Sequence, residues 1–84
     1  MIVEKTTVVR KRQGLHARPA ALFVQIANKF DSEIKVRKGR MVVDGKSILG
    51  ILMLGAEYGN QIHIRANGED AEAAVEKLKS FVSG

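Results

Sequence analysis

One histidine in this chain has neighbours suited to phosphate chemistry. His16 lies in the run Gly-Leu-His-Ala-Arg-Pro-Ala at 14–20, where a segment rich in β-branched residues gives way to a helical pattern that begins at Ala17. Backbone N–H groups in the first turn of a helix have no partner within the helix, and with the positive end of the helix dipole they attract anions. The planar guanidinium of Arg18 suits phosphate oxygens. The run therefore predicts an anion site at a helix start.

The same surroundings suit a nucleophilic imidazole at His16. The positive field disfavours a protonated ring, and a neutral ring keeps the lone pair that attack on phosphorus requires. No second His, Cys or carboxylate stands at ligand spacing nearby, which argues against a metal site, and no acid is placed in the sequence to complete a nucleophilic triad. From these residues alone, His16 is also open to interpretation as an ordinary polar residue before a helix.

The elements that must position His16 are predicted from hydrophobic periodicity. Strands are expected where β-branched residues cluster or apolar residues alternate, and helices where apolar residues recur every three or four positions. The pattern predicts strands at 2–9, 33–37, 40–43 and 61–66, and helices at 17–29, within 48–54 and at 70–82. Strands connected in this way fit an antiparallel sheet with helices on one face, an α+β fold.

Composition narrows the class of protein. A chain of 84 residues is expected to form a single domain, 1–84, and the absence of cysteine excludes disulfides, thiolate metal sites and thiol catalysis. No apolar run approaches the roughly 18 residues of a membrane span, and no signal peptide is visible, so we expect a cytoplasmic protein. The net charge of +5 favours an acidic partner, whether nucleic acid, a phosphorylated ligand or an acidic protein surface.

The apolar run after Ser47 predicts both a helix and an exposed surface. Serine is among the best helix N-caps, which favours a short helix that starts after Ser47. So continuous an apolar run cannot bury every side chain. We expect Ile51 and Leu54 to point inward and Leu49 and Leu52 to stay partly exposed, and exposed apolar patches mark protein interfaces.

Two motifs together identify the chain as resembling a known family. The run at 14–20 and Lys-Ser-Ile-Leu-Gly-Ile at 46–51 resemble, at the expected separation, the two signatures of HPr, the histidine-containing phosphocarrier of the bacterial phosphoenolpyruvate:sugar phosphotransferase system (PTS). The resemblance continues through 54–56 and 68–70. It implies an open-faced β-sandwich, with a four-stranded antiparallel sheet and three helices on one face in the order βαββαβα.

The resemblance also implies roles for individual residues. His16 would accept a phosphoryl group on Nδ1 from phospho-Enzyme I and donate it to PTS IIA domains, with Arg18 helping to bind the phosphate. The protein would be a carrier and not an enzyme, with no cofactor and no metal. The family docks its partners on the surface that corresponds to Ile48, Leu49 and Leu52.

Ser47 matches the regulatory serine of the family in low-GC Gram-positive bacteria. There an ATP-dependent HPr kinase/phosphorylase modifies it, and the product acts through a regulator of carbon catabolite repression. Helix capping is the competing interpretation of Ser47.

Three further functional interpretations stay open. The basic hairpin and the Asp44-Gly45 pair depart from the sugar-system pattern and leave open a nitrogen-related phosphocarrier; the basic residues are Lys35, Arg37, Lys38 and Arg40. The second alternative is a regulatory HPr-like binding module, although paralogs that cannot carry phosphate lack the histidine found here at position 16. The third, a basic nucleic-acid binder, is disfavoured because the few aromatic residues fit packing positions. Neither nucleic-acid binding nor membrane insertion is expected, and a monomer is the default expectation.

Overall fold

Strands and helices alternate along the chain in the predicted order. The structure is a computed structural model that describes all 84 residues, Met1–Gly84. Its elements are β1 (Ile2–Val8), α1 (Ala17–Ala27), β2 (Glu33–Lys38), β3 (Met41–Asp44), α2 (Ile48–Leu54), β4 (Gln61–Asn67) and α3 (Ala71–Ser83). Each predicted element is present, and the differences from the predicted bounds are confined to the ends, where helices and strands fray.

The four strands form one antiparallel sheet in the order β1-β4-β2-β3. Along β2 and β4, alternate side chains are buried, because successive residues of a strand point to opposite faces. The buried set on these two strands is Ile34, Val36, Ile62, Ile64 and Ala66. This face carries the helices and the other is open, so the predicted open-faced β-sandwich is confirmed.

The helices cover the sheet with one apolar stripe each. In α1, Ala20, Phe23 and Ala27 are buried as their spacing predicts, while Val24 is only half-buried. The five buried residues of α3 also recur at helical spacing: Ala71, Ala74, Val75, Leu78 and Val82. They join the strand residues in a single core, which fixes where α1 starts relative to the sheet.

A polar network ties the start of α3 to the loop before β2. The Asp70 carboxylate accepts hydrogen bonds from the Ser32 hydroxyl and from the backbone N–H groups of Asp31 and Ser32. The Ser32 hydroxyl is the main cause that lowers the pKa of Asp70 below its ordinary 3.8. Because the pKa is lower in the folded state, this carboxylate stabilises the fold above the ordinary aspartate pKa. That contribution is lost as pH falls through the lowered value.

Candidate functional site

His16 is the N-cap residue of α1, as the sequence predicts. Its backbone is extended, at φ −120° and ψ 166°, and its side chain makes no capping hydrogen bond. The next three positions are Ala17, Arg18 and Pro19, and the backbone N–H of Ala20 donates to the His16 carbonyl at 3.4 Å. Proline lacks the N–H that a capping side chain often takes at this third helical position. The N–H groups of the first turn are therefore left for an anion.

The residue after His16 is strained. Ala17 has a φ of +47°, and it is the only residue other than glycine with positive φ in the chain. For a residue with a Cβ, this conformation costs roughly 1–2 kcal/mol. Strain of this kind concentrates at functional sites, where the surrounding structure has to maintain it. Nothing in the residue type of Ala17 signals it.

A carboxylate contacts the imidazole of His16. The Nε2 atom of His16 lies 2.9 Å from Oε2 of Glu57, which is 41 residues away in sequence. No acid close in sequence indicated a partner for this histidine, and the fold supplies one from a distant loop. An ionised carboxylate can only accept hydrogen bonds, so the hydrogen lies on Nε2. In a neutral ring, Nδ1 then keeps its lone pair.

Gly14 allows the Glu57 loop to approach the histidine segment. Its φ is +72°, and a Cβ at this position would lie 2.5 Å from the Ala56 carbonyl oxygen and 3.0 Å from Cα of Glu57. In the same place the Leu15 N–H donates to the Ala56 carbonyl at 2.8 Å. The glycine of the first motif thus allows two distant segments of the chain to pack closely together.

Arg18 lies within the first turn of α1 and is exposed. Its guanidinium makes no hydrogen bond and no ion pair within the protein, in contrast to Lys5, which pairs with Glu76 at 3.3 Å. An unpaired guanidinium beside free N–H groups suits an anion at the helix start.

Ser47 lies at the opposite end of α2 from the Glu57 loop. Its Oγ accepts a hydrogen bond from the Gly50 N–H at 3.0 Å, which confirms the predicted N-cap. Seven helical residues span about 10 Å, and the chain after α2 leads through Gly55 and Ala56 to Glu57. The structure therefore brings His16 and Glu57 together but does not bring Ser47 into that site.

An exposed apolar surface runs along α2, which we call the α2 patch. Ile48, Leu49 and Leu52 are 48%, 63% and 37% exposed, whereas Ile51 and Leu54 are buried, as predicted. Two more exposed apolar residues lie on or just after α2 and were not singled out from the sequence: Met53 on α2 and Tyr58 in the Glu57 loop. The helix ends at Gly55, with a φ of +62°, and this end is not readable from an apolar run.

No group of three or more His, Cys, Asp or Glu side chains is arranged to hold a metal ion. None of the three helices has the length and apolar character needed to cross a membrane.

Comparison with known proteins identifies the family. Residues 3–83 match the family model described as "PTS HPr component phosphorylation site". The HPr-like protein Crh of Bacillus subtilis (strain 168) is 43% identical over 81 residues, covering 96% of this chain and 95% of that protein.

A crystal structure of phosphocarrier protein HPr from Bacillus anthracis str. Ames superposes with a TM-score of 0.96 at 45% identity, covering 98% of both chains. A 1.8 Å crystal structure of Bacillus subtilis Crh, described as a dimer with a swapped domain, has a TM-score of 0.78 at 44% identity and covers 95% of this chain and 92% of that one. The chain therefore belongs to the HPr family of the phosphotransferase system.

Proposed function

We propose that this protein is a phosphocarrier that accepts a phosphoryl group on His16 from phospho-Enzyme I and donates it to PTS IIA domains in sugar uptake. One observation carries the proposal: a partly exposed imidazole stands at the uncapped start of α1 with Nε2 engaged and Nδ1 open. The family resemblance supports the same atom as the acceptor.

The site has the groups that phosphoryl transfer requires. The Nδ1 lone pair attacks phosphorus, an N–P bond forms, and the bond to the donor breaks with its electron pair returning to the donor. The Arg18 guanidinium and the first-turn N–H groups of α1 stabilise the charge of the bound phosphoryl group. No cofactor takes part. The protein turns over no substrate alone, since Enzyme I and the IIA domain complete each transfer.

The presence of His16 favours a carrier over a purely regulatory module. The chain is nearly as similar to Crh, at 43% identity, as to the HPr of Bacillus anthracis, at 45%, so overall similarity does not decide between them. The family resemblance implies that non-carrying paralogs lack the histidine. A histidine with a hydrogen-bonded Nε2 is therefore the discriminating feature.

The α2 patch is the surface we assign to Enzyme I and IIA domains. Its exposed residues Ile48, Leu49 and Leu52 follow directly after Ser47. Phosphorylation of Ser47 by an HPr kinase/phosphorylase would add negative charge beside a surface that binds acidic partners, and would weaken that docking while creating a site for a catabolite-repression regulator. Its Oγ is occupied as a helix cap in the present structure.

We further propose that residues 1–84 act as one HPr domain, monomeric and cytoplasmic. The Crh dimer described above makes the oligomeric state a direct test. Light scattering during gel filtration should give a mass near 9.2 kDa, and a mass near twice that value would contradict the monomer.

The function is tested by incubating the purified protein with phosphoenolpyruvate and Enzyme I. We expect one acid-labile phosphate per chain, its complete absence in His16→Ala, and the same melting temperature within a few degrees for both proteins. The matched control is His63→Ala, which removes a histidine from β4 that hydrogen-bonds Thr6 at 2.9 Å. Failure of the wild-type protein to take phosphate would contradict the carrier function.

The basic β2–β3 hairpin favours one alternative, a nitrogen-related phosphocarrier. Lys35, Arg37 and Arg40 make no ion pair within the protein. Parallel assays with a sugar-type and a nitrogen-type Enzyme I distinguish the two branches, because the faster donor identifies the pathway.

A further inference from the structure

We infer that Glu57 is a positioning residue for phosphoryl transfer, an inference that rests on the proposed function. It holds the ring of His16 by Nε2, so that Nδ1 is presented to the donor. The basis is the 2.9 Å contact between Nε2 of His16 and Oε2 of Glu57 at the start of α1. The hydrogen bond made by one ring nitrogen of a histidine determines which nitrogen carries the proton, and hence which is free to react.

The Glu57 loop is held rigidly enough to act in this way. The Glu57 N–H donates to Oδ1 of Asn60 at 2.8 Å, and the Asn60 N–H donates back to the Glu57 carbonyl at 3.0 Å. The Gly59 N–H donates to the Val9 carbonyl at 2.8 Å, and the Val9 N–H donates to the Asn60 carbonyl at 2.9 Å. The turn is therefore fastened to the end of β1, just before the histidine segment.

Close packing at Gly14 fastens the other side of the same turn. A Cβ there would strike the Ala56 carbonyl, and the Leu15 N–H donates to that carbonyl at 2.8 Å. The Glu57 backbone is thus fixed on both sides relative to His16. The Glu57 side chain is itself 65% exposed, so its contact with His16 contributes little to stability. A role in orientation accounts for the contact better than a role in stability.

Glu57 also affects the charge change during transfer. As Nδ1 forms its bond to phosphorus, the donor keeps the electron pair of the broken bond, and the imidazole ring gains positive charge while Nε2 retains its hydrogen. The carboxylate of Glu57 lies against that nitrogen and stabilises the charge as it develops. In the reverse step the ring loses the phosphoryl group and the positive charge together.

The test compares Glu57→Ala and Glu57→Gln with Glu69→Gln as the matched control. Glu69 is exposed, makes no hydrogen bond or ion pair, and loses the same charge on substitution. The first readout is the ¹⁵N chemical shifts of the His16 ring nitrogens at pH 8 in the unphosphorylated protein, with His63 as an internal reference. We expect the Nε2–H tautomer to dominate in the wild type and in Glu57→Gln, whose amide oxygen still accepts, and to lose its dominance in Glu57→Ala.

The second readout is the rate constant for phosphoryl transfer from phospho-Enzyme I. Loss of the hydrogen-bond partner that orients a metal-ligating histidine typically costs about tenfold to a hundredfold in activity, and by analogy we expect a loss at the low end of that range, about tenfold, in Glu57→Ala. Charge-assisted hydrogen bonds are roughly twice as strong as neutral ones, so Glu57→Gln should lose about threefold. Glu69→Gln should match the wild type in both readouts.

The outcomes separate this inference from the function on which it rests. Wild-type phosphorylation with unchanged tautomer populations and transfer rate in Glu57→Ala would overturn the role of Glu57 and leave the carrier function intact. No phosphorylation of the wild type would overturn the carrier function, while the tautomer shifts would still report whether Glu57 orients the ring. If Glu57→Ala fails to fold, the comparison of Glu57→Gln with Glu69→Gln decides, because equal transfer rates in those two variants would overturn the inference.

Discussion

The N-cap residues of α1 and α2 share an extended backbone, but their side chains make different hydrogen bonds. Each N-cap residue is extended, His16 before α1 and Ser47 before α2. At α2 the serine oxygen accepts the N–H of the third helical residue, Gly50, at 3.0 Å. At α1 the third helical residue is Pro19, which has no N–H, and the His16 ring turns to Glu57 instead of capping. The start of α2 is capped by its own serine, whereas the start of α1 has no side-chain cap and keeps N–H groups that can bind an anion.

The difference shows that one helix start contributes to stability, while the other gives up stability and is suited to chemistry. The α2 start has an unstrained cap, and helix caps of this kind stabilise proteins by about 1 kcal/mol. The α1 start has no side-chain cap and holds Ala17 at a φ of +47°, so it is less stable than an ordinary helix start. Unsatisfied donors and strain are maintained only where the rest of the structure is well packed. The core beneath α1 supplies that packing.

Among variants that keep His16, the largest effect should come from removing the positive charge at the start of α1. Arg18→Ala should slow phosphoryl transfer about tenfold to a hundredfold, because hydrogen bonds to charged groups contribute about 1.5–3 kcal/mol. Stability should change by less than about 0.5 kcal/mol, since Arg18 is exposed and unpaired. Transfer rates and urea unfolding measure the two effects. Arg40→Ala, which removes another exposed arginine from the β2–β3 turn, should leave the transfer rate unchanged. An equal loss of rate in both variants would mean that only the net charge matters.

A slightly smaller effect is expected on the surface of α2. Leu49→Lys should slow transfer from Enzyme I about tenfold, or about 1.4 kcal/mol, because an interface anchor is replaced by a charge. The amount of phosphate finally bound and the melting temperature should stay the same, since Leu49 is 63% exposed. Val42→Lys on β3 is the matched control, at 55% exposure. A loss as large in Val42→Lys would argue against a specific docking surface on α2.

Ser47→Ala tests the capped start of α2. Losing the hydrogen bond to Gly50 should lower the free energy of unfolding by about 1 kcal/mol. In a chain of this size that corresponds to roughly 4–8 °C in melting temperature. Phosphorylation of His16 should proceed at the wild-type rate. Ser47→Asp, which keeps a capping oxygen, should retain the stability and lose transfer rate if charge at this position weakens docking. An unchanged melting temperature in Ser47→Ala would show that the cap is not stabilising.

The smallest effect is expected at the strained residue. Ala17→Gly removes roughly 1–2 kcal/mol of backbone strain but adds 0.5–1 kcal/mol of unfolded-state entropy, so we expect a net gain of about 0.5 kcal/mol. Urea unfolding, analysed with the same m-value for both proteins, measures this change in the free energy of unfolding. A loss of about 1 kcal/mol, as for glycine in an ordinary helix interior, would show that Ala17 is not strained.

Periodicity was enough to predict every element except α2, and local chemistry was enough to predict where α1 and α2 start. Burial imposes a repeat of two on strands such as β4 and a repeat near 3.6 on α1 and α3, so their patterns are readable along the chain. The α2 run has no clear repeat, and only the capping preference of Ser47 predicted a helix there. Gly14 and Pro19 indicated where α1 starts.

The contacts that complete the site were not readable in the same way. Glu57 lies in a loop with no repeat, 41 residues from His16, and reaches it only because strand pairing and Gly14 bring the two loops together. Asp70 likewise accepts hydrogen bonds from residues 38 and 39 positions earlier. The strain at Ala17 arises from the junction between the loop and α1, and alanine carries no sign of it. The Glu57 contact, the Asp70 hydrogen bonds and the strain at Ala17 all depend on tertiary structure, which local sequence patterns do not show.

In the proposed carrier function, the engagement of Nε2 by Glu57 leaves Nδ1 as the one ring nitrogen that both receives and releases the phosphoryl group. Donor and acceptor must then approach the same nitrogen in turn, and they cannot be bound to the carrier together. Transfer becomes a relay of two separate encounters, in which each partner has to leave before the next arrives. A carrier built in this way works best when its complexes are short-lived, so tighter docking on α2 would slow the relay once dissociation became the slowest step.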